Sequence, residues 1–491
     1  MEPQSRRNYH SIVRFWLPLL LAFLMCVRSS AQTLPDLGDV SQAVFSPVLE
    51  RQVGESIMQQ VRADPAYFDD PVVADYLNRL GNRLASVSPD PKQKFEFFAL
   101  KDTSVNAFAL PGGFIGVHTG LLLTSQTESE LASVLAHEIA HVTQRHIARM
   151  LAGQERTGLA TLAAMALGLL AARANSNLAQ AVIAGSQAAA IQSQINYTRE
   201  HEREADRVGV QIMQQSGLDA RAMPTFMERL QRAMRLYESG APAYLQTHPV
   251  TTERIADLQN RTEDLGYKQV PDNADFQLVR ARVRVAGSEP HQALAFFEQG
   301  LKERRFINEA ATQYGLTLSL VKLKNVPRAK RELALLEQLL PSHPMVAALR
   351  GEVLAASGDV TAALSHYAAA LKVHPGNRAL VYDYADLLIR NGRAEMALKV
   401  VEPRQAESPD EIRLYTLQSR SHAALGNRLL QHRAQAEVYL RQGHLGAAVE
   451  QLQLAVRAGD GDFYQLSAAE ARLRELRGRL KEAEKARKQQ Q

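Results

Sequence analysis

His137-Glu138-Ile139-Ala140-His141 is the segment whose residue types and spacing point most directly to chemistry. It lies in a run, Thr127 to Met150, that reads as one long helix opened by Thr127 with Glu130 three residues on. Residues four apart share a helix face, so two imidazoles converge on one point while Glu138 projects beside them. Such a pair suits a tetrahedral metal site lacking one protein ligand. A pentapeptide with two open positions also arises by chance on surface helices, so the motif needs a third ligand elsewhere.

Tyr197 to Asp206 offers that ligand: Glu202 and Asp206 stand one helical turn apart and face the same way. Glu202 would reach the metal and Asp206 would accept the second N–H of a ligating histidine, fixing its tautomer and raising its basicity. Glu200 and Glu204 read as solvated. His146, five residues beyond His141 and off its face, and His118, on a strand-like segment, read as structural or solvated. A tetrahedral oxyanion needs a further donor, and His248, Arg254 and His201 all qualify. Pro249 keeps His248 out of helical conformation, in a loop before a helix that starts at Thr251 or Thr252. Asn106-Ala107-Phe108-Ala109-Leu110-Pro111 reads as an edge strand beside the metal helix, able to pair with an extended substrate backbone while Phe108 and Leu110 pack inward.

Taken together, His137 to His141, Glu202 to Asp206 and Asn106 to Gly113 resemble the HtpX and CAAX-prenyl-protease type of gluzincin metallopeptidase. The resemblance implies a zincin-like α+β domain with one Zn2+ per chain, held by His137, His141 and Glu202, and Glu138 as catalytic base. It also puts His248 near the metal, occupying the open position in a latent enzyme or donating to the transition state, and Asn106, Ala107, Phe108 and Ala109 along the substrate. The order of segments along the chain is similar to a periplasmic branch of that family in Gram-negative bacteria. That similarity implies proteolysis and chaperone action on unfolded or misassembled outer-membrane proteins, with docking to the outer-membrane β-barrel assembly machinery. The alternative is chiefly a repeat-domain adaptor whose proteolysis is latent.

The rest of the chain must supply the elements that position these groups. Arg6, Arg7 and Arg14 precede an apolar run from Phe15 to Val27, and Ser29-Ser30-Ala31 follows, which is the layout of a secretory signal over residues 1–31. Four of the arginines lie in that segment against one acid, so most of the formal charge of +5 belongs to it and a nucleic-acid partner loses its support. Cys26, the only cysteine, also falls there, which excludes disulfides and thiolate ligands from a mature chain beginning at about Gln32. Residues 32–270 read as mixed helix and strand: helices over 41–62 and 71–87, and a small hairpin-like sheet formed by 95–100 and 105–110. Residues 157–190 are Ala-rich with one charge, Arg173, and read as lid or membrane-interface helices. From residue 271 to 491 the chain is helical and repeats: Gly358, Gly392 and Gly426 stand 34 apart, and Ala363-Leu364 recurs as Ala397-Leu398. Helix pairs that cannot bury their apolar faces alone stack into a tetratricopeptide-type α-solenoid, capped by charged helix from Arg472. The expectation is a mostly α protein, an α+β metalloprotease domain followed by a repeat array.

Overall fold

The computed structural model describes residues 45–153, 198–234, 244, 248–266, 270 and 273–489. The expected signal, residues 1–31, and the Ala-rich stretch 157–190 lie outside them. Among the described residues no helix is long and apolar enough to cross a membrane.

Helices α1 (Pro47–Ala63) and α2 (Pro71–Ala85) each start with proline behind a polar cap: Ser46 accepts from the Leu49 amide, and Asp70 from those of Val72 and Val73. Strands β1 (Glu96–Leu100), β2 (Ala107–Leu110) and β3 (Phe114–His118) form one sheet in the order β1-β3-β2. β3 runs parallel to β1 and antiparallel to β2. This corrects the expected pairing of 95–100 with 105–110. The hairpin joins β2 to β3 through Pro111-Gly112-Gly113, and that short turn forces those two strands to be neighbours. β1 then takes the remaining edge of β3, where α2 packs on it.

After α3 (Thr119–Thr124) comes α4 (Glu128–Thr143), and the expected single helix from Thr127 to Met150 ends there. Arg145 takes a left-handed conformation, φ 54°, and the chain restarts as α5 (His146–Gly153). The Arg145 guanidinium donates to the Phe45 carbonyl at 2.6 Å and pairs with Glu50 at 2.8 Å, so tertiary contacts hold the break against local helix preference. α6 (Arg199–Ser216), α7 (Ala222–Met234) and α8 (Thr252–Glu263) complete the layer around α4.

The repeat array follows as α9 (Ala274–Gly287), α10 (Pro290–Glu303), α11 (Glu309–Lys322), α12 (Val326–Leu339), α13 (Pro344–Ala356), α14 (Val360–Val373), α15 (Arg378–Arg390), α16 (Ala394–Glu407), α17 (Ile412–Leu425), α18 (Arg428–Arg441), α19 (Leu445–Arg457) and α20 (Phe463–Gln489). Gly358, Gly392 and Gly426 turn α13 into α14, α15 into α16 and α17 into α18, at φ 79°, 69° and 76°, which explains why glycine recurs there. The last helix begins earlier than the charged segment suggested. Its Leu473 and Leu476 are buried against Ala448, Val449 and Leu452, so it is docked by an apolar stripe rather than only solvated.

The array rests on α2. Arg282 of α9 pairs with Asp70 at 2.7 Å, Arg378 of α15 with Asp75 at 3.2 Å, and Asp275 with Arg79 at 2.6 Å. Tyr76 and Phe276 meet with ring centroids 6.3 Å apart inside a continuous apolar core.

The hairpin that aims β2 is seated on α1 at Gly54, where an added Cβ would lie 2.0 Å from the Pro111 carbonyl oxygen and 2.8 Å from the Phe114 ring. Gly54→Ala should therefore destabilise the chain by about 1–3 kcal/mol through overpacking. A urea midpoint equal to that of the parent would contradict this seating.

Candidate metal centre

Helix α4 carries His137, Glu138 and His141, and every residue from Glu128 to His141 is buried. Thr127 caps it by accepting from the Glu130 amide at 3.2 Å, and Arg229 grips the Glu130 carboxylate at 2.5 and 2.6 Å. α6 packs along α4, and its cap Thr198 accepts from the His201 amide at 3.2 Å, so Glu202 falls in the first turn and Asp206 one turn later. α8 is capped by Thr251, accepting from the Arg254 amide at 3.2 Å, which turns the Arg254 side chain inward.

These elements bring His137, His141, Glu202 and His248 together: one ligand atom from each lies within 4.8 Å of the others. His137 Nε2 is 3.0 Å from His141 Nε2 and 3.3 Å from His248 Nδ1. Glu202 Oε1 is 2.9 Å from His248 Nδ1 and 3.4 Å from His141 Nε2, and its Oε2 is 3.5 Å from His137 Nε2. Four donors about 2.0–2.1 Å from a tetrahedral ion sit roughly 3.3–3.4 Å apart, so the spacing fits such an ion. Asp206 Oδ1 stands 3.0 Å from His137 Nδ1. With a proton held there, Nε2, which faces two other ring nitrogens, is the atom His137 would offer to a cation. Glu138 is fully buried, with His248 Nε2 3.5 Å from its Oε1.

Burial by itself disfavours every charge in this site, and the neighbours decide the outcome. Burial would depress His137, but Asp206 and Glu202 push it up to about 10. Burial dominates at His141, which falls well below the ordinary histidine value. It would raise Glu202, yet His248, His137 and His141 hold that carboxyl well below its usual range. Asp206 is likewise held down against burial by Arg254 and His137. Glu138 goes the other way: burial raises it, and His248, His137 and the Ala109 amide only partly oppose that.

Among the nominated oxyanion donors, Arg254 is already committed. It binds Asp206 through Nε at 2.7 Å and Nη2 at 2.8 Å, Glu202 through Nη1 at 2.7 Å, and the Pro249 carbonyl at 2.9 Å. His201 stacks on His146, with centroids 4.5 Å apart and an interplanar angle of 18°, outside the donor group. His118 is buried with Ser104 Oγ 2.8 Å from its Nδ1. Ala107, Phe108 and Ala109 lie buried in β2, the edge strand nearest α4, and Asn106 is buried just before it. His118 N donates to the Asn106 carbonyl, so by alternation the Ala107 and Ala109 backbone groups point away from β3.

Two expectations need correction. His146 is neither off the site nor solvated: it is fully buried with Nδ1 2.9 Å from His141 Nδ1. Glu204 is not simply solvated, since it binds His146 Nε2 at 3.1 Å and Arg149 at 2.7 Å. Five-residue spacing hides this contact unless the helix breaks between the histidines, and no local signal at Arg145 announces the break. Tyr244 was also missed. Its amide donates to the Val105 carbonyl at 3.1 Å, just before β2, and its ring stacks on His248 with centroids 4.8 Å apart.

The model of peptidase family M48 matches residues 71–262 and a tetratricopeptide-repeat model matches residues 354–420. The chain is 35% identical over 431 residues to a Vibrio cholerae protein provisionally named a beta-barrel assembly-enhancing protease, covering 87% of this chain and 89% of that one. It is 32% identical over 456 residues to the beta-barrel assembly-enhancing protease of Escherichia coli, covering 92% and 93%. A shorter match, 32% over 185 residues, covers 38% of this chain and 51% of the mitochondrial metalloendopeptidase OMA1 of Schizosaccharomyces pombe.

Arg254→Ala would leave two buried carboxylates without their cation and should cost about 3–5 kcal/mol. The folded pKa of Asp206 lies below its unfolded value of about 3.9. The pairing therefore stabilises fully above that value and fades as pH falls through the folded one. Urea unfolding of metal-free protein should show the gap between parent and variant widest at neutral pH and shrinking below about pH 4. A gap unchanged at pH 3 would refute the assignment.

Proposed function

The chain belongs to peptidase family M48, in the branch of the beta-barrel assembly-enhancing proteases, and on that premise we propose that it is a zinc endopeptidase of the Gram-negative periplasm. It cleaves misfolded or stalled outer-membrane proteins and docks through its repeat array to the machinery that assembles them. Residues 1–31 serve for export, 32–270 form the protease and 271–491 the array. The reading is carried by the convergence of His137, His141, Glu202 and His248 beside the buried Glu138.

His137, His141 and Glu202 hold the metal, with Asp206 orienting His137. A zinc ion held there supplies the Lewis acidity that polarises a peptide carbonyl and makes water acidic near neutral pH. Glu138 takes a proton from the attacking water as its oxygen bonds to the carbonyl carbon. It then delivers that proton to the amide nitrogen as the C–N bond breaks, so one base serves both transfers. The raised pKa of Glu138 suits a group that must hold a proton between the two steps. Substrate lies extended along β2, bonded to the outward backbone groups of Ala107 and to the Ala109 carbonyl, which makes recognition largely independent of side chains.

His248 is the latch. Its Nδ1 lies within the donor group, where it would hold a bound metal and deny access to the scissile carbonyl. Tyr244, bonded at Val105, crowds the same end of the substrate edge. The second reading, an adaptor with latent proteolysis, draws on this same observation: a site closed by its own histidine stays quiet until a client displaces it.

Glu138→Gln should keep metal binding and lower hydrolysis of an unfolded substrate such as β-casein by about 10²–10⁴-fold. In vivo it separates the readings, because full support of envelope integrity by this variant means that binding dominates. His248→Ala should cleave faster than the parent if the latch holds; slower cleavage makes His248 a transition-state donor, and an unchanged rate removes both roles.

A further inference from the structure

The first metal histidine, His137, is backed by Asp206 and Arg254, whereas the second, His141, is backed by His146. Their rings meet with Nδ1 atoms 2.9 Å apart and planes at 79°. His141 Nε2 lies inside the donor group and has to offer its lone pair there, so its proton sits on Nδ1. His146 must then accept at Nδ1, which puts its own proton on Nε2, 3.1 Å from Glu204 Oε2. Arg149 Nη1 donates to the same oxygen at 2.7 Å, and His201 stacks face to face on His146 and holds its plane. Every proton in the chain of contacts is thereby assigned.

We propose that His146, supported by Glu204, is a positioning residue that fixes the tautomer of His141 and so sets metal affinity. The proposal rests on the metal-centre reading above. The interposed ring has an electrostatic purpose. Glu202 and Asp206 already share the Arg254 guanidinium, Glu138 is buried beside them, and a fourth carboxylate directly on His141 would add a further charge without compensation. A neutral imidazole accepts the hydrogen bond, while the negative charge stays at Glu204, whose side chain is 27% exposed against 2% and 3% for Asp206 and Glu202.

The test measures Zn2+ affinity of the full chain by competition with a chromophoric chelator, alongside the unfolding midpoint of the metal-free protein. Loss of such a supporting contact typically weakens binding about 10–100-fold. His146→Ala should show that loss, and His146→Asn, whose carbonyl replaces the Nδ1 acceptor, should recover most of it. Glu204→Gln, at a partly exposed position, should weaken zinc binding severalfold without moving the metal-free midpoint; it decides the matter if His146→Ala does not fold. Parent-like affinity in His146→Ala or Glu204→Gln, or no recovery in His146→Asn, overturns the proposal. His141→Ala is the reference. If it loses zinc and His146→Ala does not, only the relay falls; if it binds zinc as tightly as the parent, the metal-centre reading falls and takes the relay with it.

Discussion

Arg254 is a guanidinium set among buried carboxylates, and the centre depends on it. Isolated charges taken out of water cost several kcal/mol each, so a pocket holding Glu138, Glu202 and Asp206 is tolerable only with compensation built in. Arg254 satisfies Asp206 with two parallel hydrogen bonds and stands 2.7 Å from Glu202 as its ion-pair partner, and the imidazoles supply the rest. Glu138 is left outside this arrangement. The same burial thus yields two kinds of carboxyl a few ångströms apart: Glu202, held ionised by its partners, and Glu138, pushed toward the protonated form. Environments that drive neighbouring titratable groups apart are how a site divides ligand from acid–base work.

Helix geometry turns that electrostatic requirement into position. α4 is buried on all sides, so its direction is fixed by packing and its histidines cannot swing. α6 and α8 each begin at a threonine cap beside the site, which puts Glu202 and Arg254 in first turns where the chain is best pinned. β2 lies against α4 on the side of Glu138, close enough for the Ala109 amide to act on that carboxyl. Glu138, the donor group and β2 are three faces of one packed unit.

The array shares in this unit. α2 carries β1 on one side and receives α9 and α15 on another, with Asp70 serving both as its own cap and as the partner of Arg282. A helix that caps itself with a residue it also lends to its neighbour couples the two halves: a shift of the array perturbs the helix on which the sheet rests.

Much of this was legible in the amino-acid sequence, for a local reason. A helix converts spacing into direction, so residues 137, 138 and 141, and likewise 202 and 206, announced their shared faces, and the 34-residue recurrence of glycine announced turns that only a positive φ makes. What local periodicity does not carry is the identity of partners. The left-handed turn at Arg145, which brings His146 under His141, is held by Phe45 and Glu50, 100 and 95 residues away, and nothing near it in sequence distinguishes it from continued helix. The placing of β3 between β1 and β2 follows from a short turn and from what packs outside each strand. The commitment of Arg254 to two buried carboxylates, instead of to substrate, was settled by desolvation, which exists only once the chain has closed around them.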